Sequence, residues 1–217
     1  MIAMSRDSHD LIAHLVDDLS PVRPLRMTHG AGVAFAGLAL GLAAVAAFLG
    51  LRSDLLGGSP NPLFLVSNGL FLLLGMAASA AVVKMSLPRV GSDHSGWAWA
   101  AAMVALLPAT AIALALGGQT AALKADAARH GLDCLVLGTT LGLLTFAALV
   151  IWLRRGAPTS PERSGLVVGI ASGSFGIFAY SLHCTFNDIV HIGIWHGGVV
   201  LLSAAMGRLT VPPLIRW

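Results

Sequence analysis

The residues of this chain with chemistry beyond packing are its two cysteines and eight histidines. Cys134 and Cys184 are far apart in sequence, yet each has histidines close by. His130 precedes the first, His183 adjoins the second, and His191 and His196 follow. Thiolates flanked by imidazoles suit soft or borderline metals, and a neighbouring cation raises the thiolate fraction of a cysteine. The same two residues can close a disulfide if their Cα atoms come within about 7 Å. Three uses stay open: a structural disulfide, a redox- or metal-responsive thiol pair, and two cysteines with no functional role. For His196, beside Trp195, ordinary scaffolding at a membrane interface competes with a ligand role. No CxxC is present, which sets aside zinc-ribbon and thioredoxin-like spacing. Neither a nucleophile elbow nor a HExxH pair occurs, so the chain reads as a non-enzyme, and no organic cofactor is expected.

The elements that must position these residues are set by composition. Of 217 residues, 56% are hydrophobic and only 11% charged, against about 25% charged in soluble domains. A soluble core of this size could not hide that much apolar surface, so lipid is the expected solvent. A span needs about 20 mostly apolar residues, and six runs qualify: 31–51, 63–83, 97–117, 135–153, 164–182 and 193–211. Stretches rich in Pro, Gly, Ser and charge separate them. The sixth is weakened by Gly197, Gly198, Arg208 and the Pro212-Pro213 pair. The first thirty residues are polar and lack a cleavable leader pattern, so the first apolar helix is expected to act as the insertion signal.

Ten of the thirteen Lys and Arg fall on one side of this arrangement; the other side has Arg52, Lys124 and Arg129. Positive charge marks the cytoplasmic face, which puts both termini inside. Both cysteines and four histidines, His130, His183, His191 and His196, then share the opposite face, oxidising if it is periplasmic. No ionised side chain sits mid-span, which lowers the case for ion-coupled transport. Gly165, Gly169 and Gly173, like Gly37 and Gly41, have the small-xxx-small spacing of packed helices, within one chain or between chains, so a homo-oligomer stays open. The net charge of +3 comes from bases scattered in loops, with no aromatic-interleaved stripe for direct nucleic-acid binding.

Residues 8–19 read as an amphipathic helix. Leu11, Ile12, Leu15, Val16 and Leu19 make one apolar stripe, Ser8 is the expected N-cap, and Ser20-Pro21 ends it. Its polar face carries Asp10, Asp17 and Asp18. Anionic lipid repels such a face, whereas a groove on a basic protein accepts it. Two parts follow: a cytoplasmic N-terminal segment, 1–30, that binds a partner, and a six-helix transmembrane domain, 31–217.

DLIAHLVDDLSPVRPL at 10–25, LRSDL at 51–55, SLHC at 181–184, IWHG at 194–197 and the terminal Arg216-Trp217 together resemble the NrsF-type family of membrane anti-sigma factors. The resemblance runs along the whole chain, and the order and spacing of the LHC and WHG elements are its most specific part. It implies an all-α, six-helix inner-membrane regulator, both termini cytoplasmic, that holds an extracytoplasmic-function sigma factor inactive. By the same resemblance, Cys134 and Cys184 would sense oxidants or heavy metals, with His130, His183, His191 and His196 as auxiliary ligands. Leu11, Ile12, Leu15, Val16 and Leu19, with Val22, Arg23 and Leu25 of the VRPL stretch, would contact the sigma factor. Thr185-Phe186-Asn187 intervenes where the family pattern wants an acid nearer the second cysteine, which argues against Asp188 as a ligand. A small membrane transporter or a thiol-based membrane oxidoreductase is the alternative.

Overall fold

The computed structural model describes residues 6–17, 25–87 and 125–215, with four isolated positions at 109, 112, 116 and 117. Every regular element among them is helical. Helix α1, Arg6–Asp17, starts two residues before the expected cap Ser8. Its apolar stripe is in open view, with Leu11 61% and Leu15 59% exposed. Leu19, Val22 and Arg23 lie outside the described residues.

Helix α2, Met27–Ala44, runs into a π-helical turn, Val45–Leu49, which Gly50 closes at φ +81°, a conformation that disfavours any side chain. A short helix α3, Ser53–Leu56, follows. Helix α4, Pro62–Met85, begins with the Asn61 side chain accepting from the Leu63 N–H and Pro62 at its first position. Helices α5, Ala125–Leu153, and α6, Pro161–Ser181, come next. The last helix has three parts: α7, Ile189–His191, a π-helical turn, Ile192–His196, and α8, Gly197–Ile215, which continues through Pro212 and Pro213.

Five of these helices are long and apolar enough to cross a membrane: Met27–Leu49, Pro62–Met85, Ala128–Leu153, Pro161–Ser181 and Ile189–Ile215. Six spans were expected; the third, 97–117, falls outside the described residues apart from the isolated positions. The ends of α4 and α5 are tied together. Ser86, just past α4, accepts at Oγ from Trp152 Nε1 at 3.2 Å and at its carbonyl from the Ala157 N–H at 3.0 Å. Those partners lie at the C-terminal end of α5, so α4 and α5 run in the same direction.

Helix α6 is the axis of the fold, buried along nearly its whole length against α4, α5 and α8. Its glycines explain how so many helices reach it. A Cβ at Gly169 would collide with the Ser203 carbonyl of α8, and one at Gly173 would lie 2.8 Å from the Ser203 Cβ. Gly37 of α2 meets the Thr145 backbone of α5 in the same way, at 2.7 Å. Both glycine stripes thus pack helices within one chain. Outward positions are large and apolar, Phe48 being 86% and Leu209 75% exposed. Such a surface needs a lipid-like solvent.

Candidate thiol–imidazole site

The C-terminal ends of α2 and α6 and the N-terminal ends of α4, α5 and α7 meet at one end of the bundle, and all the cysteines and the ligand-type histidines gather there. Cys134 projects from α5 and Cys184 from the loop after α6. Both are buried and free. The Cys134 thiol donates to the Cys184 sulphur across 3.7 Å. His191 Nε2 lies 3.4 Å from Cys134 Sγ and 3.8 Å from Cys184 Sγ. His196 completes the group: one ligand atom from each of the four residues falls within 4.8 Å of the others.

The π-helical turn brings the two imidazoles together. In an α-helix residues five apart point about 140° away from each other. Here the Gly197 N–H reaches the Ile192 carbonyl, an i→i+5 bond, so the helix widens by one residue between His191 and His196. Their rings then meet edge to face with centroids 5.3 Å apart. The Asp188 side chain caps the start of this helix, accepting from the N–H groups of Val190 and His191 at 2.9 Å each. Phe186 stacks on His191 at 5.0 Å, and the Trp195 indole covers Gly131 of α5, where a side chain would displace it.

Arg52 holds the loop in place, a role that its sequence position did not reveal. The side chain is buried although charged. Its guanidinium donates to the Cys184 carbonyl at 2.9 Å, to Asn187 Oδ1 at 2.9 Å, and to both oxygens of Asp54 at 2.6 and 2.8 Å. It also lies 4.2 Å from the centroid of the Phe64 ring, and its backbone N–H bonds the Leu182 carbonyl. The Asp54 carboxyl is held below its usual range, chiefly by the hydrogen bond from Arg52. The sequence signal was the Arg-x-Asp triplet in a loop otherwise poor in charge. Cys184 is also shifted: the Cys134 thiol, then the imidazoles of His191 and His196, stabilise its thiolate against the opposing effect of burial.

His130 and His183 stand apart from the four. His183 Nδ1 donates to the Gly50 carbonyl at 3.1 Å, and the His130 ring sits 5.1 Å from Phe186. Both line a cavity of about 80 Å³, with Cys134, Tyr180, Cys184, Thr185 and Phe186. His130 and Thr185 are exposed, so this cavity leads from the surface to the sulphurs. At the opposite end a larger one, about 610 Å³, is lined by Leu25, Arg26, His29, Trp152 and Arg155 among others.

Among the described residues, a helical bundle with five apolar spans and a buried dithiol–diimidazole group defines a polytopic membrane protein with a sulphur-centred site. The chain belongs to the NrsF family, negative regulators of sigma F, whose profile matches residues 15–217. It is similar to the anti-sigma-F factor NrsF of Caulobacter vibrioides, with 31% identity over 96% of this chain and 98% of that one. A probable anti-sigma-F factor NrsF of Azospira oryzae is 28% identical over 79% of this chain and 80% of its own. No solved structure matches. These relatives are regulators of a sigma factor rather than enzymes.

Proposed function

We propose that this anti-sigma factor sits in the bacterial inner membrane with both termini cytoplasmic and holds an extracytoplasmic-function sigma factor through its N-terminal segment. It lets go when Cys134 and Cys184 meet an oxidant or a heavy metal at the periplasmic face. The observation that carries this is the apolar stripe on α1. Leu11, Ile12, Leu15 and Val16 are all exposed in a chain whose family acts on a sigma factor. A stripe of that kind is the usual anchor of a helix laid in a partner's groove. The acids beside it favour a basic groove, and Leu19, Val22, Arg23 and Leu25 extend the contact toward the bilayer.

The sulphurs, 3.7 Å apart with a cavity leading to them, support the sensing half. An oxidant such as a peroxide, reduced to water, takes two electrons and both thiol protons and joins them at about 2.05 Å. That draws the Cys184 loop toward α5. The loop's grip on Arg52 then pulls on the end of α2, and the other end of α2 carries the partner segment. The stimulus acts because it binds or reacts differently with the two positions of this loop.

The test is co-purification of a sigma factor with the full-length chain from its source bacterium, beside Leu11→Asp and Leu15→Asp variants. Capture by the parent and a loss of at least about thirtyfold in the variants is the expected result, since a buried leucine anchor contributes about 2–3 kcal/mol. Equal capture by all three overturns the assignment of α1.

A further inference from the structure

We infer that Cys134, Cys184, His191 and His196 form a closed four-ligand site for one divalent d10 cation, zinc or its heavier congener cadmium. This rests on the proposal above, in that the same thiols are the sensing groups, and adds to it a defined ligand and two further residues.

Bond lengths supply the first reason. With metal–sulphur bonds of about 2.3 Å and metal–nitrogen bonds of about 2.05 Å in a tetrahedron, the sulphur–sulphur edge is about 3.75 Å and the sulphur–nitrogen edge about 3.55 Å. The sulphurs are 3.7 Å apart, and His191 Nε2 lies 3.4 and 3.8 Å from them. A van der Waals contact alone would account for the sulphurs, but not for two imidazoles from a widened helix turn converging on the same point.

Charge supplies the second reason. A divalent ion with two thiolates and two neutral imidazoles has no net charge, the state a buried site inside an apolar bundle tolerates best. Binding displaces one proton from each thiol that still has one. The third reason is ring orientation. His191 turns Nε2 to both sulphurs, and its other nitrogen, Nδ1, is buried without a hydrogen-bond partner among the described residues, so no scaffold bond on the far side accounts for the way the ring points. Ligand softness then selects the ion: two thiolates and two imidazoles favour tetrahedral d10 cations over magnesium or calcium. The 80 Å³ cavity gives such an ion a route, and it places His130 and His183 on that route rather than in the ligand set.

The experiment uses the full-length protein in lipid nanodiscs, stripped with a chelator and titrated with cobalt(II) as a spectroscopic stand-in. One cobalt per chain, intense tetrahedral bands and a thiolate charge-transfer band are expected, all abolished by zinc or cadmium. His191→Ala and His196→Ala should each weaken binding at least about tenfold, the lower bound for losing even an outer support of a metal site; His130→Ala and His183→Ala should not. In the unaltered protein, zinc should slow alkylation of both cysteines. Weak octahedral bands, indifference to both ligand substitutions, or unchanged alkylation with zinc would overturn the site, and the last needs no variant to fold. Induction of the sigma factor's promoter separates this from the broader proposal. Oxidant induction that needs both thiols, in a protein that binds no cobalt, removes the metal site alone. Cobalt binding in a protein whose Cys134→Ser/Cys184→Ser form still responds removes the sensing role alone.

Discussion

Replacing Arg52 with Ala should loosen the thiol end of the bundle while leaving the spans assembled. The guanidinium makes buried bonds to the Cys184 carbonyl and to Asn187 Oδ1, each 2.9 Å long. A hydrogen bond to a charged group contributes about 1.5–3 kcal/mol, so two at the low end amount to about 3 kcal/mol. Asp54 is left out of this figure because its partly exposed carboxylate is rehydrated once released. Each 1.4 kcal/mol is a factor of ten, so the open form of the Cys184 loop should become roughly a hundredfold more populated. Alkylation of Cys184 by a small maleimide, timed in nanodiscs without denaturant, reads that population when reclosing is faster than modification. Arg52→Lys should give a similar rise, because a point charge cannot span both acceptors and Asp54 at once. An unchanged alkylation rate in both variants would refute the claim that this side chain holds the loop.

Three further outcomes follow from the packing and the ion pair. Gly169→Ala puts a methyl group into the Ser203 backbone, which cannot move aside as a side chain would. It should lower stability by about 1–3 kcal/mol, visible as a lower melting temperature. Gly69→Ala, where a Cβ meets nothing within 4 Å, should cause no loss. The Asp54 carboxyl has its pKa lowered in the fold, so its contribution is complete above the usual 3.8 and is lost as pH falls through the lowered value. The melting-temperature advantage of the parent over Asp54→Asn should therefore be constant near neutrality and shrink in acid; a constant advantage throughout would contradict the pairing.

Much of this was legible in the sequence, because lipid imposes simple rules. Apolar length marks four of the five described spans to within about four residues at each end, while the span expected from 135 starts at Ala128 because its first turns carry Arg129, His130 and Asp133; alternating direction was enough to put Cys134 and Cys184 at the same end. The convergence of the histidines was not legible. His191 and His196 are five apart, which an α-helical count places on different faces; only the π-helical turn aligns them, and no residue type announces such a turn. Nor could spacing separate these two from His130 and His183, because that choice depends on ring orientation and on Phe186 lying between. Arg52 read as one charge in an orientation count, since its partners at Cys184 and Asn187 are brought near only by folding. Asp188, doubted as a ligand for its distance in sequence from Cys184, uses Oδ1 to accept from the backbone N–H groups of Val190 and His191.

On the proposal above, a change at Cys134 and Cys184 controls the hold of helix α1 on the sigma factor, and transcription reads that coupling. A reporter on the sigma factor's own promoter, measured with the parent chain and with Cys134→Ser/Cys184→Ser, before and after peroxide or cadmium, compares the two ends in one assay. Full repression in both strains, with induction only in the parent, is the expected pattern. Normal induction in the double variant would contradict the account.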